Sequence, residues 1–206
     1  MPRVAIIDYG LGNLRSAMRG IEYAGAEVDV TSDPSDFDRA DGLVLPGVGA
    51  FKNGMANIQA MERAIFDFVS DNKPLLGICL GMQMFMTNSE EGQDENGLVR
   101  GLNLIEGTVK RFKFENQREK FKIPHMGWNC ITIEQESPFL RGIERSYVYF
   151  VHSYFVEPAQ HTIATSDYGI QFAAIVSVDN IFGTQFHPEK SSSIGLKMLK
   201  NFVEMC

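Results

Sequence analysis

Cys79 stands in the run Leu75-Leu76-Gly77-Ile78-Cys79-Leu80-Gly81-Met82-Gln83, where a short apolar segment ends in Gly-x-Cys-x-Gly. A helix-like stretch, Met82 to Met86, follows directly. This is the pattern of a nucleophile elbow, in which a strand turns sharply into a helix and lifts one side chain above the sheet. Gly77 and Gly81 leave room for a strained turn and for a close packing neighbour. A cysteine at the first turn of a helix sits where the dipole and free N–H groups stabilise a thiolate. The alternative is a packed core thiol, which needs none of these features. Far downstream, Gly183-Thr184-Gln185-Phe186-His187-Pro188-Glu189-Lys190 supplies a possible base, His187, and a carboxylate to orient it, Glu189. Residues two apart in an extended segment share a face, and Pro188 biases His187 toward extended geometry. A carboxylate on one imidazole nitrogen sets the tautomer and leaves the other nitrogen for the thiol. Alone, His-x-Glu reads as a surface ion pair. Beside an elbow cysteine it reads as the rest of a triad.

The elements that must position these groups alternate in the first half of the chain. Val4 to Ile7 predicts a buried strand, Tyr9-Gly10-Leu11-Gly12 a turn, and Asn13 the N-cap of a helix ending near Gly25. Val28 to Val30 and Leu43 to Leu45 are the next strands. Met55, Ile58, Met61, Ile65, Phe68 and Val69 recur at helical spacing along one face. Leu75 to Ile78 is the strand that ends at the elbow. Strands separated by helices predict an α/β fold with a mostly parallel central sheet and helices on both faces. In such sheets, sites lie beyond the carboxyl ends of the strands, where Cys79 falls. The second half is β-rich: Tyr147 to Tyr154, His161 to Thr165, and Ala173 to Phe186 with a hairpin turn over Val178-Asp179-Asn180-Ile181. A last helix starts near Ser192, with Ile194, Leu199, Phe202 and Val203 facing inward. The polar stretches Asn88 to Gly97 and Phe114 to Lys122 predict exposed loops. Met82, Met84 and Met86 read as core filling rather than a cofactor box.

Composition narrows the function classes. At 206 residues and 44% hydrophobic content the chain suits one α/β domain, residues 1–206. A formal charge of -7 argues against a nucleic-acid surface. The sequence has no apolar run of membrane-spanning length and no signal-type N-terminus, so a cytoplasmic protein is expected. Three cysteines, Cys79, Cys130 and Cys206, form no disulfide framework or CxxC site, which suits a reducing compartment. Zinc on His125, His152, His187 and Cys79 is the weak alternative, because those residues lack finger-type spacing. No metal and no cofactor is expected. Gly10-Leu11-Gly12-Asn13 fits dinucleotide spacing badly, and there is no Walker loop.

With the elbow, His187-Pro188-Glu189 and Pro46-Gly47-Val48-Gly49 together, the chain resembles the class I (triad) glutamine amidotransferases over nearly its whole length. More narrowly, it is similar to the glutaminase subunits of imidazole glycerol phosphate synthases. Leu80-Gly81-Met82-Gln83 carries that distinction, because many relatives have histidine where Met82 stands. Pro124-His125-Met126-Gly127-Trp128-Asn129, Tyr149-Phe150-Val151-His152-Ser153-Tyr154 and Gln185 to Ser191 add to it. Phe114 to Lys122 is the least family-like stretch. The resemblance implies that Cys79 attacks the side-chain amide of glutamine and forms a thioester. His187 would move the protons and Glu189 would hold His187. The backbone N–H groups of Val48 and Leu80 would form the oxyanion hole, each worth about 3 kcal/mol in comparable sites. Gly49, Gln83, Ser153 and Tyr154 would grip the substrate. It further implies a partner, a (β/α)8-barrel cyclase receiving ammonia through a tunnel, with Asn13, His125, Met126, Trp128, Tyr149 and Lys190 near the interface. A buried-aromatic reading of Trp128 and Tyr149 stays open here. The rivals are a glutaminase serving another synthase, a silent regulatory member, and a stand-alone hydrolase.

Overall fold

The computed structural model describes residues 1–95, 97–114 and 121–206. In the first half, strands β1 (Arg3–Ile7), β2 (Glu27–Thr31), β3 (Gly42–Gly47) and β4 (Leu75–Cys79) alternate with helices α1 (Leu14–Ala24), α2 (Phe51–Ile58) and α3 (Glu62–Ser70). Helix α4 (Leu80–Met84) follows Cys79 without a loop. The second half holds β5 (Asn88–Asp94), β6 (Gly97–Arg100), β7 (Thr108–Arg111), β8 (His125–Ile133), β9 (Ser146–His152), β10 (Tyr154–Val156), β11 (Thr162–Asp167), β12 (Gln171–Val178), β13 (Ile181–Thr184) and helix α5 (Ser192–Val203).

The main sheet runs β2-β1-β3-β4-β13-β12-β11-β8-β9. Its first five strands are mutually parallel and its remaining pairings antiparallel, so the parallel half and the β-rich half share one sheet. Both faces of the central strands β1, β3, β4 and β13 are buried, which explains their continuous apolar runs. Val4 and Ile6 of β1 enter one core with α1 and α5, while Ala5 and Ile7 enter the other with α2, α3 and α4. Leu76 and Ile78 lie in the first core and Leu75 in the second. Asn13 caps α1 by accepting from Ser16 N at 3.4 Å, and Gly25 ends it in the left-handed region at φ 105°. The hairpin between β12 and β13 turns at Asp179, φ 50°. Among the described residues no helix is long and apolar enough to cross a membrane.

Three expectations are corrected. The Met55 to Val69 face is not one helix: a 3-10 turn over Gln59–Met61 divides α2 from α3, while Ile58, Met61, Ile65 and Phe68 stay buried. Within the Asn88 to Gly97 stretch, Asn88–Asp94 is strand rather than loop, and residue 96 lies outside the described residues. That strand, β5, pairs with β6 in a second sheet of order β10-β7-β5-β6, with Ser89 fully buried. The charged side chains that suggested a loop decorate an inner strand whose main chain pairs with β7 on one side and β6 on the other. Phe114 is buried, stacked at 5.6 Å on Phe112 and in ring contact with Phe121, so the ends of the Phe114 to Lys122 stretch are anchored. Residues 115–120 of that stretch lie outside the described residues.

Candidate active site

Three neighbouring parallel strands end together. Gly47 of β3 is in register with Cys79 of β4, and Ile78 with Thr184 of β13. The chain segments leaving those ends are therefore forced side by side: Val48-Gly49, the elbow, and Gln185 to Glu189. The elbow is a strained turn, with Cys79 at φ 57° and ψ -106°. Such a conformation costs on the order of 1–3 kcal/mol and persists only when its surroundings hold it. They do. A Cβ on Gly81 would lie 1.9 Å from the Leu45 carbonyl oxygen, and one on Gly77 would lie 2.7 Å from the Met82 nitrogen. These glycines are required for close approach of β3, β4 and α4. Gly47 has the same role, since its Cβ would meet Leu80 Cβ at 2.7 Å.

His187 Nδ1 and Glu189 Oε1 are 2.8 Å apart, and both side chains are 2% exposed. The route differs from the expected one. His187 is extended, but Pro188–Lys190 is a 3-10 turn, and that turn brings Glu189 back to the ring. Ser191 secures the turn, donating to the His187 carbonyl at 2.6 Å and accepting from Tyr149 N at 3.0 Å. Burial opposes charge on His187, but the neighbouring Cys79 sulfur and Glu189 carboxylate more than offset it and push its pKa up to about 9. Coupled groups at this range share their titration.

A cleft of about 320 Å³ is lined by Val48, Gly49, Cys79, Leu80, Gln83, Glu91, Ser153, Tyr154, His152 and His187. Of the site residues expected from the sequence, Cys79, His187, Val48, Leu80, Gly49, Gln83, Ser153 and Tyr154 line this cavity, while Glu189 sits behind the His187 ring. Leu80, first in its helix, has no intrahelical acceptor for its N–H and lines the cleft. Two histidines line the cavity, and their bonding separates them. His152 uses both ring nitrogens, Nδ1 against the Tyr154 carbonyl at 2.8 Å and Nε2 against His125 Nδ1 at 2.9 Å. His187 Nε2 has no hydrogen-bond partner among the described residues. Of the two rings in the cleft, His187 is the one with a nitrogen unengaged by the protein and so able to exchange a proton with a reacting group.

Two residues escaped the sequence reading. Gln185 Nε2 donates toward Cys79 Sγ at 3.8 Å, and its oxygen accepts from Gln83 Nε2 at 2.9 Å. Its place two residues before His187 was the available signal, because such residues share a face. Glu91 puts a carboxylate in the cleft, accepting from Phe51 N at 2.9 Å, with burial pushing its pKa up. Nothing local in the polar stretch around it distinguishes Glu91 from its neighbours.

Of the expected docking residues, Met126 and Trp128 are 66% and 54% exposed, which removes the buried-aromatic reading for Trp128. Tyr149 is half-buried and edge-on to Trp128 at 6.2 Å, while Lys190 is exposed and Asn13 half-buried. Tyr147, on the same face, is 65% exposed. His125 is corrected: it points to the opposite face of β8 and is 3% exposed, stacked 4.0 Å from the ring of Tyr168. The His152 nitrogen that zinc would need is taken by His125, and among the described residues no group of three His, Cys, Asp or Glu could hold a metal ion.

The profile of the family Glutamine amidotransferase class-I matches residues 5–206. The chain belongs to the class I glutamine amidotransferases. Curated relatives of this amidotransferase named imidazole glycerol phosphate synthase subunit HisH align almost end to end. That of Methanosarcina acetivorans is 50% identical over 100% of both chains. That of Natronomonas pharaonis is 51% identical over 98% of this chain and 94% of its own. That of Bacillus subtilis is 42% identical over 98% and 96%. Among solved structures, PurLQS from Thermotoga maritima superposes with TM-score 0.73 at 18% identity, covering 98% of each chain. The glutaminase domain of Trypanosoma brucei CTPS gives 0.68 at 16%, covering 100% of this amidotransferase and 92% of that chain. These two share the fold.

Proposed function

We propose that residues 1–206 form one glutaminase domain, the subunit of an imidazole glycerol phosphate synthase that hydrolyses L-glutamine to glutamate and ammonia. Its partner is a (β/α)8-barrel cyclase, which uses the ammonia to make imidazole glycerol phosphate and an aminoimidazole carboxamide ribonucleotide in L-histidine synthesis. The observation that carries this reading is the end-to-end similarity to HisH subunits in a chain whose Cys79 and His187 line one cleft, with Glu189 bonded to the far side of the His187 ring.

The arrangement of the cleft supports the following chemistry. Cys79 Sγ adds to the amide carbon of glutamine, and the C=O electrons move onto oxygen, where Leu80 N–H and Val48 N–H stabilise them. His187 takes the thiol proton and gives it to nitrogen as the C–N bond breaks, releasing ammonia and leaving a γ-glutamyl thioester. His187 then takes a proton from water, whose oxygen attacks the thioester; glutamate leaves and the thiol is restored. Glu189 holds the ring throughout. Glu91 suits the substrate's α-ammonium, and Gly49, Gln83, Ser153 and Tyr154 complete the grip.

Ammonia made here is wasted unless a second site receives it. Val151 lines the cleft and is in register with exposed Met126, so the apolar face of β8 and β9 reaches the cleft wall. Docking there, with Asn13 and Lys190 at its margin, seals that side for ammonia transfer. The isolated chain is expected to hydrolyse glutamine slowly, with a large rise in kcat once the cyclase and its nucleotide substrate are added. Full activity from the chain alone, or activation by a different synthase only, overturns this assignment.

A further inference from the structure

We propose that His125 and His152 act as a positioning relay, fixing the glutamine-facing wall of the cleft and tying it to the strand that carries the docking face. The proposal rests on the glutaminase reading of that cleft. His125 and His152 are in register across β8 and β9. They are 3% and 5% exposed, and their rings meet at 2.9 Å between His125 Nδ1 and His152 Nε2.

The direction of each bond is forced. The Tyr154 carbonyl can only accept, so His152 Nδ1 carries a hydrogen and donates to it at 2.8 Å. Burial holds the pKa of His152 down to about 3 and that of His125 down to about 4, so the neutral His152 ring accepts at Nε2 and His125 Nδ1 donates. His125 Nε2 is left as acceptor, with Asn129 Nδ2 at 3.4 Å. Both rings are neutral. The same Tyr154 carbonyl accepts from Gln83 Nε2 at 3.0 Å, and Gln83 leads through Gln185 to Cys79 Sγ. One buried polar chain therefore runs from Asn129 on β8, through both imidazoles and the Tyr154 carbonyl, to the sulfur.

Two apolar rings in these places would pack without the desolvation that a buried polar chain must offset. What the imidazoles add is direction. His152 is held by a donor on one side and an acceptor on the other, which sets the backbone of Ser153 and Tyr154 at the cleft. Alternation along β8 places His125 and Asn129 inward while Met126 and Trp128 point out, so a shift of that strand on docking is handed to the cleft through one hydrogen bond.

The test uses the assembled synthase and its glutaminase rate. His125→Phe keeps a ring between Phe150 and Tyr168 and removes the donor. It is expected to raise KM for glutamine about tenfold, with the larger part of the loss in KM rather than kcat. His125→Asn, which places an N–H near the Nδ1 position, is expected to recover most of that loss. An unaltered KM in His125→Phe overturns the relay, as does His125→Asn being as impaired as His125→Phe, which would indicate packing alone. Nitrogen NMR of the unsubstituted complex at neutral pH stands apart from variant folding: Nδ1-protonated, neutral rings support the relay, and an Nε2-protonated His152 overturns it. A parent complex unable to hydrolyse glutamine would instead remove the glutaminase reading.

Discussion

Cys79→Ala or Cys79→Ser is expected to leave no measurable glutamine hydrolysis while the complex still assembles and still makes product from ammonium salts. Sγ is the atom that must bond to the amide carbon, and no other described thiol shares the cleft: Cys130 and Cys206 lie outside its lining. Serine keeps a small polar group at the elbow, so the strained φ of 57° is retained and the fold is spared. Loss of glutamine use with retained ammonium use separates the nucleophile from the architecture. Both activities are read on one preparation, by glutamate release and by product formation. Persistent glutaminase activity in either variant removes Cys79 from the reaction.

His187→Ala is expected to fall nearly as far, because nucleophile and base act as a unit and their losses do not add. Glu189→Gln should cost less. The ring survives with a hydrogen-bond partner, but the carboxylate charge that helps hold a proton on His187 is gone. That change also has a stability signature. In the folded chain His187 titrates at about 9, above its unfolded value near 6.5. The pairing therefore stabilises the fold fully below pH 6.5, and that contribution is lost as pH rises through 9. Glu189→Gln should flatten the decline in Tm between those limits. An unchanged pH profile together with full activity would reduce the triad to a Cys–His pair.

Much of this site could be read from residue order because the chemistry is concentrated at strand ends. A parallel βαβ pattern predicts that Leu75–Cys79 delivers its last residue to the rim of the sheet, and β4 does so between β3 and β13. The pairing of His187 with Cys79 was read from the chemistry of the two motifs, but the strand order that produces it was not: β13 inserts beside β4 after more than a hundred residues, and single-strand periodicity does not encode strand order. Gly81 was legible as a close-approach residue, but not that its neighbour is the Leu45 carbonyl. His125 was misplaced for a definite reason. It lies between Pro124 and exposed Met126, and the one-residue alternation of a strand decides which face it takes. Glu91 escaped because the second sheet, which carries it to the cleft, looks like a polar loop when its pairing is unknown.

The most direct measurement is to quench the assembled synthase during turnover of L-glutamine with the nucleotide substrate present, then locate the covalent acyl group by peptide mass spectrometry. A γ-glutamyl adduct on the peptide carrying Cys79, appearing and decaying with turnover, is the expected result. Turnover with no adduct on Cys79, or with the acyl group on Cys130 or Cys206, contradicts it.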